Sequence, residues 1–244
     1  MFLAVIGFVA LAANDVVAQT NDAAAQELLA GAASEAPVYQ QIKAKFIDGG
    51  VGFMASVLLC LILGLAVAIE RIIYLSLSTT NTSKLIAKVE EALNNGGVEA
   101  ALEVCRNTRG PVASIFYQGL SRMDQGLEAV EKSVVSYGGV QAAQLETGLT
   151  WLSLFIAMAP NLGFLGTVIG MIGAFDAIQA AGDISPIVVA SGIKVALITT
   201  VAGLIVALIL QVFFNYITSK VESLVITMED ASVSLIDILV KAKK

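Results

Sequence analysis

The chain of 244 residues contains no histidine, two cysteines, four prolines and one tryptophan, and only 14% of it is charged. Without histidine it lacks both the usual proton-transfer side chain at neutral pH and the commonest metal ligand. Cys60 and Cys105 are predicted to lie in a membrane span and in a polar loop, so neither a disulfide nor a metal site is expected. No cofactor is expected either. A net charge of −6 argues against a nucleic-acid partner. Carboxylates are missing altogether from residues 147–175 and 195–219. What fills the gap is apolar: 57% of residues are hydrophobic and mean hydropathy is +0.83, the composition of a polytopic membrane protein rather than of an ordinary soluble enzyme. The expected fold is therefore all-α, with three transmembrane helices and a helical cytoplasmic section.

Residues 1–18 read as a signal peptide, in which the apolar run Phe2 to Ala13 is too short to span and Val16-Val17-Ala18 supplies a cleavage site. Residues 19–48 form a periplasmic segment. Within it Val38, Ile42, Phe46 and Ile47 make an apolar stripe with Lys43 and Lys45 off it, which suits either an amphipathic surface helix or an extension of the first span. The spans are assigned to 49–77, 141–178 and 187–219, and a cytoplasmic C-terminal helix to 220–244. Arg71, Lys84, Lys88, Lys132 and Lys220 flank the spans on one side, and the turn at 179–186 has no basic residue. By the positive-inside rule the N-terminus is outside and the middle section inside. Glu70 and Arg71, being adjacent, do not face each other on a helix, and each is expected to meet a partner helix or the headgroups.

The section 78–140 is helical by period. Leu85, Ile86, Val89, Ala92 and Leu93 share a face that ends at Asn94-Asn95-Gly96-Gly97. A second helix covers Val98 to Arg106, and Pro111 opens a third. From Leu127 onward the pattern runs into the second span, predicting one long helix with Gly138-Gly139 as its flexible point.

Within the second span Ala159, Gly163, Gly166, Gly170, Gly173 and Ala177 recur in steps of four and three, forming one smooth face. Glycine costs a helix about 1 kcal/mol relative to alanine, so such a stripe implies close approach of another backbone. The third span carries a matching pattern in Gly192, Ala196, Thr200, Gly203 and Ala207, continued by Gln211 and Asn215. Thr167 lies one residue off the first stripe. Each threonine alone is explained by a bond to its own preceding turn, but their paired placement points to a polar seam. Pro160 frees a carbonyl within the second span and marks a kink. Glu146 has three readings: a residue through which protons enter, a subunit salt bridge or a solvated anchor. Lys194 either snorkels outward or fixes a partner carboxylate.

Ala159-Pro160…Gly163-Phe164-Leu165-Gly166-Thr167, followed by Ala196-Leu197-Ile198-Thr199-Thr200-Val201-Ala202-Gly203-Leu204 and by Tyr216 after Asn215, resembles the MotA/TolQ/ExbB proton channel family, in its ExbB/TolQ branch. The resemblance runs from about Phe46 to the C-terminus. It implies a homopentamer in the inner membrane around a dimer of a single-span ExbD/TolR-like protein, each copy of which brings one aspartate. A TonB-like or TolA-like protein is implied outside the ring, together with membrane lipid around it. The ion pathway then falls on Thr167 and Thr200, with Thr199 as a neighbour; from their positions alone, Glu146 and Lys194 are candidates to tune its charge. Many relatives have a glutamate where this chain has Val195, so a mechanism needing that second carboxylate does not transfer. The resemblance implies a proton-driven motor for TonB-dependent uptake, with envelope maintenance as the alternative; a structural scaffold without channel activity remains the rival reading.

Overall fold

The computed structural model describes residues 38–182 and 186–242. The expectations for the signal peptide, for 19–37 and for the turn residues 183–185, Asp183 among them, fall outside it. Every element among the described residues is helical. In order they are α1 (Val38–Asp48), α2 (Val51–Ser78), α3 (Thr82–Arg106), α4 (Pro111–Leu120), a 3-10 turn (Met123–Gln125), α5 (Leu127–Glu146), α6 (Leu149–Ala181) and α7 (Pro186–Ala242). α1 belongs to one unit of the chain, and the described residues from Gly49 onward form another, compact one.

Three helical runs among the described residues are long and apolar enough to cross a membrane: Val51–Arg106, which begins in α2, Leu127–Ala180, which joins α5 to α6, and Val189–Lys241, within α7. This is a multi-pass membrane protein. α2 has 28 residues, about 42 Å at 1.5 Å per residue, and buries Val57, Cys60, Gly64, Ala68 and Leu75 on one stripe. Its other faces carry exposed Leu58, Leu59, Ile62, Ile69 and Ile73. In water such exposure would be costly; in hydrocarbon or against another subunit it is not. Gly64 lets α7 come close, since a Cβ there would lie 2.6 Å from Leu210 Cδ1.

Outside the spans α3, α4, α5 and the second half of α7 pack as a helical bundle. Asn81 caps α3 by accepting from the Lys84 amide at 3.1 Å. At Gly97 φ is +71°, a left-handed value that breaks α3 into two helices where the Asn-Asn-Gly-Gly signal places the stop. Pro111 opens α4, which buries Ile115, Phe116 and Leu120. Gly119 admits Val134 of α5 and Leu235 of α7. α7 runs unbroken for 57 residues, about 85 Å, so the third span and the C-terminal helix are one element. Its buried residues Leu210, Ile217, Val221, Leu224, Met228, Ala231 and Leu235 keep steps near 3.5, the seam that lets one continuous helix serve both membrane and bundle.

Three expectations are corrected. The long helix predicted from Leu127 into the second span is broken at Thr147-Gly148, where Gly148 has φ +88°, while Gly138 and Gly139 lie inside α5. The reason is steric: a Cβ at Gly148 would sit 2.7 Å from Arg71 Nε, so the chain turns there against α2. Glu70 and Arg71 do meet, with Nε 2.7 Å from Oε2, because two flexible side chains reach sideways around one turn. Arg71 also lies 5.3 Å from the Tyr74 ring centroid. Cys105 is in helix α3, not a loop, and is 3% exposed. Burial pushes its thiol up to about 11.

Candidate ion-pathway seam

The seam lies between α6 and α7, and its geometry is set by missing side chains. A Cβ on Gly203 would come 2.5 Å from the Ala159 carbonyl oxygen, and one on Gly163 would come 2.8 Å from the Thr199 carbonyl oxygen. Real Cβ atoms do not approach backbone so closely, so the two helices touch backbone to backbone. Further along, Gly192 faces Ala174, and Gly170 makes ordinary contact with Ala196. Gly173 has no neighbour within 4 Å and is exposed. By that end of the helix the 3.6-residue period has carried the contact from position 173 to Ala174, which is buried. Ala207 is half-buried. α6 continues through Pro160 as a single helix, with Ala159 fully buried beside it.

At the centre of this close approach the Thr167 and Thr200 hydroxyls contact each other. Thr167 Oγ1 lies 3.1 Å from the Ala196 carbonyl and 3.2 Å from that of Gly163. Thr200 Oγ1 is 3.3 Å from the same two carbonyls. Each hydroxyl has one proton to give, so two protons are shared among four oxygens in more than one arrangement. Gly163 is what opens the cross-helix bond, because its lack of a side chain exposes its carbonyl to Thr200. Thr199 behaves differently: it donates to Ala196 O at 2.8 Å, is 1% exposed and packs against Gly166. Thr167 and Thr200 remain half-buried, within reach of a group outside the protomer.

The other candidates lie apart from this cluster. Glu146 is exposed at the last residue of α5, and from the start of α6 at Leu149 to Thr167 the helix runs about 27 Å. Lys194 is exposed on α7, and Val195 is half-buried, its Cγ1 3.9 Å from a Cβ built at Gly50. Position 195 thus faces the start of α2 rather than Thr167. Gln211 Nε2 donates to Asn215 Oδ1 at 3.0 Å. Among the described residues no group of three or more His, Cys, Asp or Glu is placed to hold a metal. Gly64 and Ala174 are packing positions that sequence reasoning missed; each is recoverable only by knowing which helix it faces. The arrangement can offer hydroxyls and carbonyls to a protonatable group, but it has no acid of its own.

Residues 107–230 match the MotA/TolQ/ExbB proton channel family. An ExbB homolog of Methanothermobacter thermautotrophicus is 36% identical over 162 residues, which are 66% of this chain and 57% of that protein. An ExbB-like protein of Synechocystis sp. is 31% identical over 72% of this chain and 70% of its own length. The biopolymer transport protein ExbB of Xanthomonas campestris pv. campestris is 38% identical over 46% of this chain and 43% of its own. The chain therefore spans little more than half of the Methanothermobacter relative. The family match covers α4 to the middle of α7 and so contains both threonines and every glycine that brings α6 against α7. The chain belongs to the MotA/TolQ/ExbB proton channel family.

Proposed function

We propose that this chain is the ring-forming subunit of a proton-driven motor of the inner membrane, with its N-terminus periplasmic and its C-terminus cytoplasmic. Five copies surround a dimer of a single-span ExbD/TolR-like helix, and each partner helix brings one aspartate to the Thr167–Thr200 cluster. The observation that carries this reading is that cluster: two reachable hydroxyls bonded to each other and to shared carbonyls, within the carboxylate-free stretches 147–175 and 195–219. A proton crosses hydrocarbon by resting on a group whose charge is solvated. Hydroxyls that can each donate or accept suit both states of a visiting carboxyl, accepting from its protonated form and donating to its anion.

Proton passage alternately neutralises and recharges the partner acids, and the inner dimer moves relative to the ring. The membrane supplies about 2.3 kcal/mol per charge for each 100 mV, enough to bias a step at a smooth interface. The protein is not an enzyme; its output is mechanical, passed to a TonB-like protein outside the ring in TonB-dependent uptake. The Xanthomonas relative is a biopolymer transport protein, which supports uptake over envelope maintenance. The test is Thr200→Val in cells or vesicles holding the partner. The ring should assemble with its partner while proton flux and energy transfer fall; wild-type transfer by this variant contradicts the proposal.

A further inference from the structure

Where the first and third spans leave the membrane, a cavity of about 340 Å³ opens between the end of α2 and α7. Its α2 wall is Ile72, Leu75, Ser76 and Thr79, and its α7 wall includes Tyr216 and Lys220. The level is fixed by sequence: the uncharged run of α2 ends at Glu70-Arg71, directly before the lining residue Ile72, and that of α7 ends at Lys220 itself. Beyond it the helical bundle begins at Thr82. The cavity thus lies at headgroup depth, with aliphatic side chains on the membrane side and polar groups on the other.

Its two walls differ in hydrogen-bonding character. α7 offers an ammonium and a phenol, and no carboxylate among the described residues pairs with Lys220. α2 ends here, so its last-turn carbonyls lack helical partners, and the helix macrodipole places partial negative charge at this wall. The Thr79 hydroxyl already donates to Leu75 O at 3.0 Å, which leaves its lone pairs as acceptors. A ligand that fits both walls must carry an anion at one end and a hydrogen-bond donor at the other, with an apolar tail leading back into the bilayer.

We infer that this cavity binds a phospholipid headgroup, with its phosphodiester on Lys220 and Tyr216 and its terminal hydroxyl or ammonium donating to the end of α2. Basic pockets between membrane helices are general lipid sites. The acceptor wall adds selectivity: glycerol and ethanolamine headgroups can donate, choline cannot. The site is separate from the threonine seam, and its test does not depend on proton flux.

The experiment is native mass spectrometry of the purified protein after exchange into detergent with equal amounts of dioleoyl phosphatidylglycerol, phosphatidylethanolamine and phosphatidylcholine. Wild-type protein should retain the first two over the third. Lys220→Gln should lower their retention about tenfold, the equivalent of one charge-assisted hydrogen bond, and Lys220→Arg should restore it. Added inorganic phosphate should not displace them. Equal retention by Lys220→Gln, equal retention of phosphatidylcholine, failure of the arginine variant to restore binding, or displacement by phosphate would each overturn the assignment.

Discussion

The two hydroxyls differ from the third in one respect that matters. Thr199 is sealed between helices, while Thr167 and Thr200 keep an open side. Thr200→Val removes a bond to a charged visitor in the working complex, worth about 1.5–3 kcal/mol, and should slow partner-dependent proton flux about tenfold to a hundredfold. Thr199→Val should leave flux near wild type, which the same vesicle assay reads. Their pairing was legible in the sequence because steps of three and four put both threonines beside small-residue stripes. Their shared carbonyls, Gly163 O and Ala196 O, were not, since backbone acceptors leave no trace in residue type. Cys105 gives a prediction outside the membrane. With its pKa raised to about 11, the folded protein holds the thiol proton that an unfolded thiol loses near pH 9. Its contribution is therefore whole below pH 9 and is lost as pH rises towards 11, by roughly 3 kcal/mol. Denaturation of wild type and Cys105→Ala across that range should show the extra fall in wild type alone.

At the scale of elements, the glycines divide into those that touch something and those that do not. Gly203→Ala places a Cβ against the Ala159 carbonyl and should destabilise the protein by about 1–3 kcal/mol. Gly173→Ala meets open space and should be neutral or slightly stabilising in the same thermal unfolding measurement. The stripe follows the contact with α7 through Gly170 and leaves it at Gly173, because a rigid seven-residue pattern drifts off a 3.6-residue helix. The joint between α5 and α6 was misplaced for a different reason. Gly138-Gly139 is the louder local signal, yet the turn falls at Gly148, where Arg71 of another helix occupies the space. Only tertiary contact distinguishes them. Gly148→Ala, at positive φ, should cost about 1–2 kcal/mol from backbone strain alone, whereas Gly139→Ala, with nothing within 4 Å, should not destabilise. Exchange of the α5 amides would report that difference locally.

For the whole molecule, the membrane portion and the bundle are joined by α7, whose buried residues run from Ala196 in the seam to Leu239 near its end. A displacement felt at the threonines therefore acts on an element that also forms the bundle core. Hydropathy made the three spans plain, and helical periodicity gave the bundle's first helices, since each signal is local. The fusion of span and tail into one helix follows from the absence of proline after Pro186 and of glycine after Gly203, a negative signal that is easily cut at the charged residue Lys220. The central claim is that the ring supplies hydroxyls and backbone to an acid that another protein brings. The most direct test is proton uptake by liposomes holding this chain alone, this chain with its single-span partner, and this chain with a partner whose membrane aspartate is replaced by asparagine. The account predicts uptake in the second preparation only. Equal uptake in the first, with no partner acid present, would contradict it.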